Sequence, residues 1–187
     1  MRIIAGRFRG RALAAIGKGD PAAHLRPTTD RVRESLFSML SGGRFGDPIT
    51  DARVLDLFAG TGALGLEALS RGATLVTFVE NGVKALALLR RNIEICDATQ
   101  DITIIKRDAT RMPACTHVPF DLIFLDPPYG KGLGGKALRS AIENKWIAPG
   151  ALIVWEESHP EPPPPGYVLL DQRRYGDTHI SLMEAPT

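Results

Sequence analysis

From residue 53 to residue 155 the chain alternates short, almost wholly apolar runs with stretches of helical period, and nothing else in it narrows the fold so far. Strands are predicted at Val54–Phe58, Leu75–Val79, Ile102–Ile105, Phe120–Leu125 and Ala151–Trp155. Between them, Ala63–Ser70 is rich in Ala and Leu and stops at Gly72, Val83–Ile95 carries Leu86, Leu89 and Ile93 on one face, and Lys136–Trp146 completes the set of helices. Strands with no polar face must be covered on both sides, so the pattern predicts a mostly parallel sheet between helices. Two last strands, Tyr167–Arg173 and His179–Met183, flank Tyr-Gly-Asp and read as an antiparallel hairpin. Pro160–Pro165 reads as a stiff connector.

The first 46 residues differ. They hold nine Lys/Arg and three acids, a charge of +6, whereas the other 141 residues hold fourteen bases and eighteen acids, or −4. Short β-prone pieces broken by Gly6 and Gly10 predict a small basic hairpin, followed by a loop over residues 17–27. Thr29 or Asp30 can cap a helix running to Leu40, with Val32, Leu36 and Leu40 on one face and Gly42 and Gly43 ending it. Residues 1–46 thus read as a basic hairpin and helix packed on a main domain, 47–187. The charge asymmetry suggests a segment that faces a polyanion, although a solvated basic face has the same composition.

The first strand runs into Asp56-Leu-Phe-Ala-Gly60-Thr-Gly62-Ala-Leu-Gly65, a G-x-G-x-x-G spacing at the entry to a helix. Glycines there let the chain turn sharply and bring backbone N–H groups close to a ligand at the helix N-terminus. A bare strand-to-helix junction uses the same residues, so the turn has weight only in company. Glu80 ends the second strand twenty residues after Gly60, where an acid can accept from ribose hydroxyls. Asp108, followed by Ala109, comes after the third strand and could accept from an adenine amine. The glycine turn and Glu80 suit a nicotinamide dinucleotide and S-adenosylmethionine alike. Asp56 precedes the turn, and from its position alone would orient it or meet the ligand.

Asp126-Pro127-Pro128-Tyr129 directly follows the almost wholly apolar strand Phe120–Leu125. Each proline stiffens the chain and removes one N–H donor, leaving a segment rich in acceptors. The Asp126 carboxylate and the Pro127 carbonyl can both face an exocyclic NH2, whose two donors need two acceptors. An amine held so is fixed for attack on a methyl group. Tyr129 offers a flat face on which a base can stack. A proline-rich turn with a structural tyrosine is the bland alternative.

These residues bring out a resemblance that covers nearly the whole chain. Arg2-Ile-Ile-Ala-Gly with Arg-Gly-Arg, Leu25-Arg-Pro-Thr-Thr-Asp-Arg-Val-Arg-Glu-Ser-Leu-Phe, the extended glycine turn Asp56–Ala73 and Asp126–Tyr129 resemble class I S-adenosylmethionine-dependent methyltransferases. More narrowly, they resemble the bacterial 16S ribosomal RNA guanine-N2 methyltransferase D family. The resemblance implies a Rossmann-like seven-stranded sheet, mostly parallel, with an antiparallel C-terminal strand. It implies methyl transfer to N2 of one guanine in 16S rRNA of the small ribosomal subunit or its assembly intermediate. On that basis Asp56, Phe58, Ala59, Gly60, Thr61, Gly62, Gly65, Glu80, Asp108 and Ala109 would hold the cofactor. Asp126, Pro127, Pro128 and Tyr129 would hold the base, and Arg7, Arg9, Arg11, Arg26 and Arg31 would meet RNA phosphates, the last assignment resting mainly on charge.

Composition narrows the alternatives. No apolar run approaches a membrane span, and the first twenty residues hold no continuous apolar core of a signal peptide. Cys96 and Cys115 lie in different segments and outside any activating motif, which suggests a reduced, cytoplasmic setting and inert thiols. His24, His117, His159 and His179 are scattered, so no metal is expected, and a monomer is the default. Three rival readings remain. The same chemistry could act on adenine N6 in DNA or on a protein glutamine, where Asn more often replaces the aspartate. A nicotinamide-dependent oxidoreductase would leave Asp126–Tyr129 idle. A non-catalytic RNA-binding or assembly module would have no use for two intact motifs.

Overall fold

The computed structural model describes residues 1–15 and 30–187. Arg26, Lys18 and the expected loop 17–27 lie outside them. Seven strands form one sheet: β1 (Arg53–Leu57), β2 (Leu75–Glu80), β3 (Ile102–Lys106), β4 (Phe120–Leu125), β5 (Ile147–Glu157), β6 (Val168–Tyr175) and β7 (Thr178–Glu184). Their spatial order is β3-β2-β1-β4-β5-β7-β6. The pairs from β3 to β5 are parallel, while β7 runs antiparallel to both β5 and β6. β7 is therefore the one reversed strand, and the C-terminal ends of β1 to β5 share one edge.

One face carries α1 (Asp30–Leu40), α2 (Ala63–Ser70) and α3 (Val83–Cys96), whose apolar residues form a single core with Val54, Val76 and Phe124. The other face carries α4 (Leu133–Glu143) and a single 3-10 turn, Ala109–Arg111, over Leu55, Ile123 and Ile153. The alternation of strands and helices and the closing hairpin are as expected. α4 begins and ends three residues earlier than its apolar pattern suggested, because Gly132 starts it and Trp146 is drawn into the core instead. Trp146 stacks on Phe120 at 5.8 Å, and its indole N–H donates to the Pro113 carbonyl at 2.7 Å. Among the described residues no helix is long and apolar enough to cross a membrane.

The N-terminus is not a regular hairpin. A single antiparallel bridge, Arg2 to Ala12, closes it. The reason lies in its hydrogen bonds. Ile4 and Ala5 donate their N–H groups to the fully buried Glu67 carboxylate at 2.8 and 3.1 Å, and Arg7 and Phe8 donate theirs to the Ser70 carbonyl and hydroxyl at 2.8 and 2.9 Å. Ile3 and Leu13 still donate across the segment to the Arg11 and Met1 carbonyls, each at 3.0 Å, but the N–H donors of residues 4, 5, 7 and 8 go to α2. Arg33, fully buried on α1, donates to the Arg2 carbonyl and to Asp30, tying the same segment to α1.

Candidate active site

The edge at the C-terminal ends of the parallel strands gathers both sequence motifs. β1 leaves the sheet through Phe58, whose φ is 61°, and the turn closes by bonds from Ala59 N–H to the Val79 carbonyl at 3.1 Å and from Gly62 N–H to the Ala59 carbonyl at 2.7 Å. Gly62 has φ 78°, and a Cβ there would lie 2.4 Å from Leu89 Cδ1. A Cβ on Gly65 would lie 2.4 Å from the Phe78 ring. The first glycine thus supplies a left-handed turn and the second lets α2 press on β2.

Asp56 is fully buried and accepts the Gly65 N–H at 3.0 Å, so it caps α2 from the preceding strand where Gly62 has no side chain to do so. Burial pushes its carboxyl up to about 7, with the Gly65 bond opposing and the charge of Glu80 adding. Of the two roles its position allowed, the geometry supports orienting the turn. Glu80 stands at the end of β2 and accepts from Gly60 N–H at 2.9 Å and from Asn81 and Gly82 N–H at 2.8 and 2.7 Å. Its partly exposed carboxylate is thereby aimed at the turn. Asp108, two residues past the end of β3, caps the 3-10 turn Ala109–Arg111 and accepts from Thr110 N–H and Oγ1 at 2.9 and 2.7 Å. The backbone of Gly60–Gly62, the Glu80 carboxylate and Asp108 could hold an adenosine with an attached amino acid, as S-adenosylmethionine has.

Asp126, Pro127, Pro128 and Tyr129 leave β4 beside this turn, with Asp126 N–H 3.5 Å from the Leu57 carbonyl of β1. The Tyr129 hydroxyl donates to Glu156 Oε1 at 2.6 Å and lies 3.0 Å from Thr178 Oγ1. Burial, with the Glu156 charge adding, pushes the phenol well above its ordinary range. Tyr129 therefore stays protonated and its ring is held at three points: its own backbone, β5 and β7.

Sequence reasoning missed Glu156, Thr178 and Asn92. Asn92 is fully buried on α3; its Nδ2 donates to the Thr61 carbonyl at 2.9 Å and to the Ala14 carbonyl at 3.1 Å, while its Oδ1 accepts Ala14 N–H at 2.7 Å. One amide joins the glycine turn to the N-terminal segment. Its only signal in sequence was a polar residue on an otherwise apolar helix face. Glu156 had one as well, an acid closing an apolar strand.

The arginines fare differently. Arg7 pairs with Asp101 at 2.7 Å, and Arg11 donates to the Ile95 carbonyl at 2.7 Å. Their guanidiniums lie 4.6 and 5.2 Å from the Phe8 ring centroid. Asp101 precedes β3 and Ile95 lies in the last turn of α3, so both arginines sit toward the sheet edge opposite the motifs. Arg9 is exposed, and Arg31 is exposed at the start of α1. Cys96 is buried, which pushes its thiol up, and no nucleophile is made of it.

A sheet of this order, with one reversed strand and with a glycine turn and an Asp-Pro-Pro-Tyr segment at one edge, is that of a methyltransferase. The chain belongs to the family described as Conserved hypothetical protein 95, which it matches over residues 1–184. It is 37% identical over 189 residues to Ribosomal RNA small subunit methyltransferase D of Haemophilus influenzae, covering 98% of this chain and 93% of that one. The protein of that name from Escherichia coli K12 is 39% identical over 156 residues, 83% of this chain and 74% of that one. Among solved structures, yhhF of Escherichia coli superposes with a TM-score of 0.82 at 34% identity, covering 100% of this chain and 98% of that one.

Proposed function

We propose that this chain methylates the exocyclic N2 of a guanine in 16S rRNA of the small ribosomal subunit, working as a monomer in the cytoplasm. The observation that carries the reading is the placement of Asp126–Tyr129 and Glu80 around one glycine turn, with the Tyr129 hydroxyl bonded to Glu156. The names of the Haemophilus and Escherichia relatives support an rRNA substrate. The free thiols Cys96 and Cys115 suit a reducing compartment.

In this reading Glu80 accepts from the cofactor's ribose, Asp108 and Ala109 meet its adenine, and residues 58–62 line it, with Gly65 packing α2 behind them. S-adenosylmethionine, when bound, supplies an electrophilic methyl group. Asp126 and the Pro127 carbonyl accept the two N2 hydrogens and hold the amine with its lone pair toward that methyl. Pro128 stiffens the segment, and Tyr129 stacks on the base, which is first turned out of its RNA helix. The proton released goes to Asp126 or to water. Tyr129, already a donor to Glu156, does not take it. Catalysis on this account is positioning and exclusion of water.

The test is transfer of label from S-adenosylmethionine to small subunits from cells lacking the activity, free rRNA, duplex DNA and bulk protein, side by side. Label recovered as N2-methylguanosine from rRNA is expected. Label only in DNA or protein overturns the substrate, and none anywhere despite cofactor binding overturns the activity. Asp126→Ala should abolish transfer and leave the cofactor affinity near that of the parent.

A further inference from the structure

We propose that the RNA backbone is gripped by a cationic shoulder on the α4 face of the active edge, formed by Arg107, Arg111, Lys131 and Lys136, more than by the basic N-terminal segment. The proposal rests on the reading that the substrate is RNA. Four observations support it.

The first is position. Arg107 directly follows the end of β3 and precedes Asp108; Arg111 closes the 3-10 turn; Lys131 is two residues past Tyr129; Lys136 is in the first turns of α4. The second is continuity. Met112 donates its N–H to Ser140 Oγ at 2.9 Å, which fastens the turn bearing Arg111 to α4. Lys136 lies one helical turn before Ser140, on the same side of α4, so the row of cations runs from the Asp108 end of the edge to the Tyr129 end. The third is availability. All four side chains are exposed, and none has an ion pair or side-chain hydrogen bond among the described residues. The neighbouring acid, Asp108, is turned onto Thr110.

The fourth is the state of the rival surface. Arg7 is already paired with Asp101 and Arg11 with a backbone carbonyl, at the other end of β3. Five strand residues span about 16 Å, so those guanidiniums stand well away from the base that Tyr129 would receive. A phosphate would also have to displace the present partners of Arg7 and Arg11, which leaves Arg9 as the exposed guanidinium of that stretch. The shoulder cations have none to displace, and they flank the place where a nucleotide leaves its strand to reach Asp126. Phosphates on either side of an extruded base lie within reach of such a rim.

The test compares Arg107→Gln/Arg111→Gln/Lys136→Gln, and the same three changed to Glu, with Arg7→Gln/Arg9→Gln/Arg11→Gln. Binding of fluorescein-labelled 16S rRNA transcript is measured from 50 to 300 mM KCl, with labelled methyl transfer in parallel. The slope of log Kd against log salt falls by about 0.7–0.9 for every phosphate the protein ceases to neutralise, so the shoulder triple should show a slope lower by about 2 to 3. At 150 mM salt its Kd should rise at least tenfold, with cofactor affinity and melting temperature unchanged. The N-terminal triple should keep most of the parent slope. A shoulder triple with the parent slope overturns the proposal, as does a parent that binds the transcript without salt dependence. Binding is read independently of transfer, so a parent that binds as expected but transfers nothing sinks the functional reading and leaves the shoulder standing.

Discussion

Asp56→Asn should stabilise this protein far more at pH 8 than at pH 5. Asp56 is sealed between β1 and α2, where its carboxylate accepts the Gly65 N–H at 3.0 Å. Burial raises its pKa from 3.8 to about 7. The native state then holds the proton more tightly than the unfolded chain. Stability from this group is complete below about pH 4, falls as pH rises toward about 7 and is level above that. A gap of about three units, at roughly 1.4 kcal/mol each, makes the full penalty of ionising Asp56 about 4 kcal/mol. Asparagine copies the protonated acid. Its Oδ1 can keep the Gly65 bond, and it has no charge to bury. Urea unfolding of both proteins at half-unit steps from pH 5 to 8.5 isolates the effect, since other titrating groups cancel in the difference. That difference should grow by about 2–3 kcal/mol in favour of Asn across the window. A flat difference would refute a buried carboxyl titrating near neutrality. A variant that loses stability as pH rises would show that the ionised form is the one the turn requires.

Other consequences are as direct. Gly134→Ala would place a Cβ 2.6 Å from the Trp155 indole nitrogen and 2.8 Å from two of its carbons, so overpacking of about 1–3 kcal/mol should appear in urea midpoints; no change would mean that α4 slides on β5 without cost. Glu67→Gln removes a buried charge that accepts from Ile4, Ala5 and Arg71, and should cost about 1–3 kcal/mol while speeding amide exchange at residues 4–8. Exchange unchanged there would detach Glu67 from the N-terminal segment. Tyr129→Phe should lower kcat about tenfold by freeing the ring, with cofactor affinity intact, and adding Glu156→Gln should do no further harm. Additive losses would mean that Glu156 acts on something other than Tyr129.

Much of this architecture was legible before any coordinates. Apolar strands such as Phe120–Leu125 can only be buried on both faces, and Ala63–Ser70 can only be a helix, so the sheet and its layers follow from hydrophobic period. The glycine turn and Asp126–Tyr129 were legible too, because each packs its chemistry into a few consecutive residues at a strand end. Elements whose bonds run to distant parts of the chain were not. The N-terminal segment has the look of a hairpin, yet Glu67 and Ser70, more than sixty residues away, take the N–H donors of residues 4, 5, 7 and 8. The clamp on Tyr129 needs Glu156 and Thr178, from strands 27 and 49 residues further on. Charge counting found the basic N-terminus and could not know that Asp101 neutralises Arg7 there, nor that Arg107, Arg111, Lys131 and Lys136 lie along one rim. Local pattern determines which segments become strands and helices, because periodicity and turn chemistry act over a few residues. Which polar groups meet is decided by the order β3-β2-β1-β4-β5-β7-β6, since only packing brings separate strand ends to one edge.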